Sequence, residues 1–379
     1  MKGHIRRQSK GSWSVVLSWR EGGRFKQKWF TVNGPKSDAQ AVLAKKLTEF
    51  NAGARAVEPA RLTLADFLHR WLDEVVKPNV RPTTYLSYEL MVRRHILPEI
   101  GAIRITKLTP ARLQKFCADK LAGPRADGCE GHLSPRTVRY IHGVLRTALG
   151  QAVKWNIIGR NPTDAVVLPR REKKEMRPFS VKEAKALLKA VREDDHYALY
   201  YLAVSTGMRR GELLGLRWAD VDFDAGTLRV SQSLVCLNGR ISFQQPKTER
   251  SRRELELPAE TVELLRRHRF KQIQDKLFFG PDYQDGGLVF AQPDGRPTHP
   301  RNLVRHFKTA VRKAGLPPIR FHDLRHTFAS IAIPAVGLKV ASDILGHEDI
   351  STTANIYGHV LRGVNRQAIG DVSKQVTPD

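Results

Sequence analysis

The first part of the chain alternates apolar and polar residues with a period of two. The segments WSVVLSWR (13–20) and RFKQKWFTV (24–32) show this pattern and are rich in Val, Trp and Phe, so they predict two antiparallel strands. A turn is expected at Glu21–Gly23, between the two strands. A helix with an inward apolar face is expected from Ser37, a candidate N-cap residue. This pattern predicts a small sheet backed by one helix.

After residue 61 the apolar period changes to that of a helix. In TLADFLHRWLDEVV the apolar positions step by three, one, three, one and three residues, at Leu64, Phe67, Leu68, Trp71, Leu72 and Val75. Thr63 and Asp66 match a capping box at the start of this helix. Further helices are predicted over residues 82–97, 110–121 and 134–154. The segment 61–168 is therefore expected to be a domain of four helices.

The pattern changes again at residues 169–178, PRREKKEMRP, which are charged, flanked by prolines and without apolar periodicity. Such a composition is typical of a domain linker. From residue 179 onward, predicted helices surround three short predicted strands, TLRVSQSLV, GRISFQQ and ELELPA, which we expect to form one small sheet. The predicted fold class is an α+β multidomain protein: a sheet-plus-helix domain (1–60), an all-α domain (61–168), the linker, and a mainly helical domain with a small antiparallel sheet (179–379).

The charge of the chain indicates a polyanionic partner. Its 64 Lys and Arg residues against 38 Asp and Glu give a net charge of +26, and residues 1–60 alone carry 12 basic against 4 acidic residues. A soluble enzyme for small neutral substrates gains nothing from such self-repulsion. Nucleic acid is the commonest polyanion, so we expect DNA or RNA binding. The alternative explanations of the positive charge are binding to a ribosome and binding to a membrane surface.

Other features of the composition exclude several classes of protein. The three cysteines, Cys117, Cys129 and Cys236, form no CxxC pair, so neither a disulfide framework nor a metal site is expected. There is no run of about 18 apolar residues, so no membrane span is expected. The basic N-terminus lacks the apolar core of a signal peptide. We expect a soluble, cytoplasmic protein without a metal or other cofactor.

Candidate catalytic residues are concentrated in the last third of the chain. FHDLRHTFAS places His322 and Arg325 three residues apart, a spacing that puts both on one helical face. His347 follows a glycine, and Tyr357 lies ten residues beyond it. Arginine pairs bidentately with phosphate, imidazole transfers protons near neutral pH, and tyrosine can form a covalent intermediate. Each residue alone could be structural, but together they suit phosphoryl transfer without a metal.

Two upstream segments complete a set of six residues. TGMRRGELLGLRW contains Arg209 directly after the helix-breaking Gly207 and Met208, and FQQPKTERSRRELEL contains Lys247 at the end of a predicted strand. The order Arg209, Lys247, His322-x-x-Arg325, His347, Tyr357, each residue in its own local string, resembles the tyrosine recombinases, the phage integrase family. This resemblance covers nearly the whole chain. It implies an N-terminal three-stranded sheet domain that binds arm sites, a helical core-binding domain and a catalytic domain.

The resemblance also implies a role for each of the six residues. Tyr357 is expected to attack the scissile phosphate and form a 3′-phosphotyrosine. Arg209 and Arg325 are expected to stabilise the transition state, with a further hydrogen bond from His347. Lys247 is expected to protonate the leaving 5′-oxygen, and His322 to take the proton of the tyrosine. Neither ATP nor a divalent metal is needed, because the phosphodiester energy is kept in the phosphotyrosine.

The expected function is site-specific recombination that integrates or excises a phage or other mobile element. The partners implied are double-stranded DNA with core and arm attachment sites, three further copies of the chain in a homotetramer, an excisionase and a host DNA-bending protein. The alternatives are a type IB topoisomerase and a non-catalytic DNA-binding protein on the same scaffold. One departure from the family pattern is Pro334, which is expected to kink or end a helix.

Overall fold

A computed structural model of the chain describes residues 2–21, 24–51, 61–125, 128, 130–170, 177–246, 252–346, 349–351 and 353–354. The chain divides into two compact units, Met1–Lys173 and Lys174–Asp379. This boundary falls within the segment predicted as a linker, 169–178. The finer division of the first unit into 1–60 and 61–168 stays a prediction.

The chain begins with a three-stranded antiparallel sheet in the order β1-β2-β3, followed by a helix. The elements are β1 (Lys2–Ser9), β2 (Ser12–Glu21), β3 (Arg24–Asn33) and α1 (Lys36–Asn51). Leu43 of α1 lies so close to β1 that a Cβ on Gly3 would come within 2.7 Å of its Cδ1 atom. The predicted sheet-plus-helix arrangement is confirmed, whereas the predicted N-cap is not, because α1 begins one residue before Ser37. Of the turn predicted at Glu21–Gly23, residues 22 and 23 lie outside the described residues.

The next part of the first unit is helical. Its helices are α2 (Leu64–Trp71), α3 (Lys77–Asn79), α4 (Pro82–Met91), α5 (Leu97–Ile100), α6 (Pro110–Ala122) and α7 (Pro135–Lys154). The capping box forms as predicted: Thr63 Oγ1 accepts from the backbone N–H of Asp66 at 3.1 Å, and the Asp66 carboxylate accepts from the backbone N–H of Thr63 at 3.3 Å. Phe67 and Trp71 are fully buried in the core that these helices share.

The apolar face that begins on α2 shifts by one residue at a π-helical turn, Leu72–Val76, which joins α2 to α3. A π turn closes with i→i+5 hydrogen bonds and therefore takes up an additional residue. As a result Val76 is 3% exposed and deep in the core, while the predicted inward residue Val75 is only partly buried. A second π turn, Val92–Ile96, joins α4 to α5.

Among its described residues, the second unit contains further helices and five short strands. They are α8 (Val181–Ala190), α9 (Tyr197–Thr206), α10 (Arg210–Gly215), β4 (Val221–Asp222), β5 (Thr227–Arg229), β6 (Ser233–Leu237), β7 (Arg240–Gln244), β8 (Glu254–Glu256), α11 (Ala259–Phe279), α12 (Pro300–Lys313) and α13 (Asp323–Leu345). Phe179, Tyr200 and Phe307 are among the largest buried side chains of its core.

The strands of the second unit form two small antiparallel sheets, β4-β5-β8 and β6-β7, and not the single sheet expected. The chain leaves the first sheet after Val230 because β6 packs against α10. Glycine makes this contact possible, since a Cβ on Gly215 would come within 2.9 Å of the backbone nitrogen of Leu234. The predicted fold class, mainly helical with small antiparallel sheets, is nevertheless confirmed.

Helix α13 contains a break three residues after Pro334. Gly337 has φ 79° and ψ 165°, outside the helical region, so two helical segments meet there. The break predicted at the proline therefore occurs at the following glycine. By length and composition alone α13 could cross a membrane, a test that core helices of soluble proteins also pass. It packs against α9, and Asp323 and Arg325 in its first turn are buried.

Candidate active site

The end of α9 fixes the position of Arg209. Gly207 ends this helix in the left-handed region, with φ 63° and ψ 20°. A Cβ on Gly207 would come within 2.7 Å of Phe328 Cδ1 and 2.8 Å of Leu345 Cδ2, so both the backbone conformation and the space require glycine. The chain reverses at this point, and Arg209 lies between the reversal and the start of α10.

Arg209 donates three hydrogen bonds to described residues. Its Nη1 donates to Glu212 Oε1 at 2.7 Å, and its backbone N–H donates to Glu212 Oε2 at 2.9 Å. Its Nη2 donates to the carbonyl oxygen of Gly346 at 3.1 Å, at the C-terminal end of α13. The side chain of Arg209 is still 37% exposed, so one side of the guanidinium remains open to a ligand.

Arg325 lies at the opposite end of α13 and is only 3% exposed. Its Nη1 donates to the carbonyl oxygen of Gly207 at 2.8 Å. Arg325 therefore binds the turn that leads to Arg209, and Arg209 binds the far end of the helix that carries Arg325. This reciprocal arrangement brings two guanidinium groups into one site.

His322 lies at the surface immediately before α13. Desolvation by the surrounding protein, followed by the nearby Arg325 cation, lowers the pKa of His322 below its usual value of 6.5. Its ring contacts His326 edge to face, with the centroids 5.3 Å apart. Burial and His322 lower the pKa of His326 to about 4. Both imidazoles are therefore mainly neutral at pH 7, and neutral His322 can accept a proton.

Arg209 and His322 lie on the wall of one cleft with a volume of about 690 Å³. Arg210, Lys308 and Arg320 also line it, which gives the cleft four cationic side chains. Arg320 forms an ion pair with the buried Asp323, at 2.7 Å, and this pair fixes the first turn of α13. A cleft with this charge suits a phosphate group better than a neutral ligand.

Three of the six predicted residues, Lys247, His347 and Tyr357, lie outside the described residues. Described residues lie beside two of them. Arg252 Nη2 donates to Gln245 Oε1 at 2.5 Å, which brings together the two ends of the segment that contains Lys247. Gly346, in the left-handed region with φ 66°, ends α13 directly before His347. The structure thus brings together Arg209, His322 and Arg325, and the positions of the other three stay predictions.

Arg253 is a site residue that the sequence pattern did not single out. Its Nη2 donates to Glu212 Oε2 at 3.0 Å, and its Nε donates to the carbonyl oxygen of Ile344 at 2.6 Å. A signal was present in the alternation RELEL, which places Arg253 on the same face as Leu255 and Leu257, and all three are buried.

Glu212 connects the two arginines on either side of it. Burial of the carboxyl group would raise its pKa, but the cations and hydrogen bonds of Arg253 and then Arg209 outweigh this effect and lower the pKa of Glu212. Glu212 is therefore ionised at neutral pH. Among the residues that the structure describes, no group of three or more His, Cys, Asp or Glu side chains is arranged to hold a metal ion.

Comparisons with known proteins identify similar families and relatives. The model of the Phage integrase family matches residues 178–363, and that of the Phage integrase N-terminal SAM-like domain matches residues 63–121. A tyrosine recombinase XerC-like protein of Caldanaerobacter subterraneus subsp. tengcongensis is 31% identical over 368 residues, which cover 92% of each chain. An integrase of Saccharopolyspora erythraea is 25% identical over 357 residues, 80% of each chain.

Two solved structures have a similar fold. The Tn1549 transposon integrase in complex with a circular intermediate DNA has a TM-score of 0.68 at 20% identity, over 82% of this chain and 99% of that one. A lambda integrase tetramer bound to a Holliday junction has a TM-score of 0.57 at 18% identity, over 91% and 95%. The matches favour a recombinase over a type IB topoisomerase or a non-catalytic binder. The chain therefore belongs to the phage integrase family and is a tyrosine recombinase that catalyses site-specific DNA recombination.

Proposed function

We propose that the cationic cleft holds the scissile phosphate of a DNA strand, and that Tyr357 attacks this phosphate to form a 3′-phosphotyrosine and release a 5′-hydroxyl. The observation that carries the proposal is the reciprocal binding of Arg209 to Gly346 and of Arg325 to Gly207. Because each guanidinium is held by backbone carbonyl groups, it is preorganised before a substrate binds.

Each residue has a role that follows from its chemistry. The attack places extra negative charge on the phosphate oxygens, so fixed cations at Arg209 and Arg325 stabilise the transition state more than the ground state. His347 donates a further hydrogen bond to the same oxygens. Lys247 protonates the leaving 5′-oxygen, and neutral His322 takes the proton of the Tyr357 hydroxyl. The second strand end then attacks the phosphotyrosine and restores the phosphodiester.

The nucleophile is tested by removing one oxygen atom. Tyr357→Phe keeps the aromatic ring, so it should bind attachment-site DNA normally in a gel-shift assay and give no recombinant product. Tyr283→Phe is the matched control, because Tyr283 does not line the cationic cleft, and recombination by this variant should equal that of the wild type. Recombination by Tyr357→Phe would remove this tyrosine from the mechanism.

The N-terminal sheet is proposed to bind arm-type sites. Gly3 and Leu17 face α1, so their neighbours along the strands, His4, Val16 and Trp29, form the row on the opposite face. Trp29 is 53% exposed on that face. A solvent-exposed tryptophan in a strongly basic segment suits contact with a DNA groove.

The proposed division into an arm-binding domain (1–60), a core-binding domain (61–168) and a catalytic domain (179–379) can be tested by truncation. A fragment that begins at Arg61 should still bind and cleave core-type sites, and it should lose recombination that depends on arm-type sites. Core binding should still weaken steeply with salt, because the remaining units keep their phosphate contacts. Loss of core binding would show that residues 1–60 belong to the core-site contact.

We propose that four copies of the chain assemble on paired DNA sites, as the lambda integrase tetramer does on a Holliday junction. An excisionase and a host DNA-bending protein are proposed as accessory partners, and the cytoplasm, in contact with the nucleoid, as the location. Cross-linking with attachment-site DNA present should give a tetramer of this chain, and a dimer as the largest species would contradict the assembly.

A further inference from the structure

Three charged side chains of the site, Arg209, Glu212 and Arg253, form a row of two consecutive ion pairs. Arg209 is the open member, with 37% of its side chain exposed, and it bonds Glu212 at 2.7 Å. Arg253 bonds the other oxygen of Glu212 at 3.0 Å from behind, and their side chains are only 7% and 5% exposed. One carboxylate is therefore shared by two guanidinium groups, and the row carries a net charge of +1.

The position of the charges matters for phosphate binding. Glu212 alone would neutralise Arg209 and weaken the attraction of Arg209 for an anionic phosphate oxygen. Arg253 compensates the charge of Glu212 from the buried side. The remaining positive charge is then available at Arg209, the member of the row that lines the cleft.

Arg253 also connects separate parts of the chain. Its Nε donates to the carbonyl oxygen of Ile344 at 2.6 Å, in the last turn of α13, three residues before His347. It is itself two residues after the segment 247–251, which contains Lys247. A single side chain is thus joined to the turn of Arg209 through Glu212, to the helix end that precedes His347, and along the backbone to the segment of Lys247.

Stability alone does not explain a guanidinium at this place. The Nη1 atom of Arg253 is buried and has no hydrogen-bond partner among the described residues. A buried ion pair with an unsatisfied donor is often no more stabilising than apolar side chains of similar volume. The distinctive property of Arg253 is therefore its geometry and charge.

We propose that Arg253 is a positioning residue of the recombinase, which balances the charge of Glu212 and holds the Ile344 end of α13, so that Arg209 presents a full positive charge to the scissile phosphate. Arg253 does not itself contact the phosphate. The proposal rests on the proposed role of Arg209 as a phosphate ligand.

The test compares single-turnover cleavage of two nicked core-site substrates, one with a normal scissile phosphate and one with a methylphosphonate. The methylphosphonate lacks one anionic oxygen, so it needs less cationic stabilisation. Arg253→Met should cleave the phosphate substrate roughly 10- to 100-fold more slowly than the wild type, and this ratio should shrink at least several-fold on the methylphosphonate. For Arg209→Ala, too, the rate difference from the wild type should be smaller on the methylphosphonate than on the phosphate.

The controls separate positioning from folding. Arg253→Lys keeps a cation beside Glu212, but an ammonium group cannot bond Glu212 and Ile344 together in the manner of a guanidinium. Its cleavage of the phosphate substrate should therefore be slowed less than that of Arg253→Met. The slowing should again be smaller on the methylphosphonate. Arg217→Met removes an arginine held by Asp220 and Ser231 that does not line the cleft, and equal amounts of folded protein should cleave both substrates at the wild-type rate.

Each outcome has one meaning. If Arg209→Ala responds to the methylphosphonate and both Arg253 variants show unchanged ratios, the inference about Arg253 is wrong and the proposed function stands. Wild-type cleavage of the phosphate by both Arg253 variants would overturn the inference as well. If Arg209→Ala shows the same defect on both substrates, the role of Arg209 fails and the inference fails with it.

Discussion

Arg325 donates a hydrogen bond from Nη1 to the carbonyl oxygen of Gly207, 2.8 Å away and 118 positions earlier in the chain. Gly207 is also the residue that ends α9 and turns the chain toward Arg209. The carbonyl group of Gly207 thus fixes the buried guanidinium of Arg325, and the turn at Gly207 also sets the position of the exposed Arg209. The geometry of the proposed phosphate site therefore depends on this turn as much as on the arginines.

Removal of either arginine should affect cleavage more than binding. Arg209→Ala or Arg325→Ala should lower cleavage of a nicked core site by roughly 10²- to 10³-fold, because a preorganised transition-state contact is worth about 3–4 kcal/mol. Affinity for the DNA in a gel-shift assay should fall much less. Arg217→Ala is the control for loss of a cation elsewhere in the unit. A parallel fall in binding and cleavage would make these arginines simple phosphate anchors.

Gly207→Ala should both destabilise the protein and slow cleavage. The new methyl group would clash with Phe328 and Leu345, and alanine would be strained at φ 63°. Gly239→Ala is a matched control, because Gly239 has φ 82° but nothing within 4 Å of its added Cβ. Both variants carry a backbone strain of about 1–2 kcal/mol, and only Gly207→Ala adds the clash. Equal melting temperatures for the two variants would contradict the crowding at this turn.

Glu212 should contribute stability that is lost in acid. Its folded-state pKa lies below the usual 4.5, so its stabilisation is present above pH 4.5 and disappears as the pH falls through the folded pKa. Glu212→Gln should be less stable than the wild type at pH 7, and the difference should narrow on acidification. Urea unfolding between pH 3 and pH 7 measures this difference. A gap that widens in acid would show that the sign of the shift is wrong.

The role of Lys247 can be tested through the leaving group. Lys247→Ala should cleave a normal core site slowly and should be rescued on a substrate with sulfur at the 5′-bridging position, because a thiolate leaves without being protonated. The wild type on both substrates provides the reference rates. Equal impairment on the two substrates would move Lys247 out of the general-acid role.

Local signals in the sequence predicted much of the fold. Thr63 and Asp66 form a capping box because both partners lie within one turn, and such contacts can be inferred from spacing alone. The π turn that buries Val76 in place of Val75 could not be predicted, because it depends on how the helix packs against its neighbours. The separation of β6 from β5 has the same origin, since it follows from the contact with α10.

The candidate site shows the same limit. The local strings identified Arg209, His322 and Arg325, because each belongs to a recognisable motif. Arg253 acquires its importance from Glu212 and Ile344, which lie 41 and 91 positions away. A hydrogen bond over such a separation leaves no periodic pattern in the sequence, and the available clue was the alternation RELEL, which places Arg253 on the same strand face as Leu255.

We propose that this recombinase cuts DNA by forming a covalent bond between Tyr357 and the scissile phosphate. The most direct measurement is to trap the adduct on a nicked core site, digest the protein and the DNA, and locate the attached nucleotide by mass spectrometry. We expect a nucleotide linked through its 3′-phosphate to the peptide that contains Tyr357, formed in EDTA and without ATP. A nucleotide linked to any other residue, or through its 5′-phosphate, would contradict this proposal.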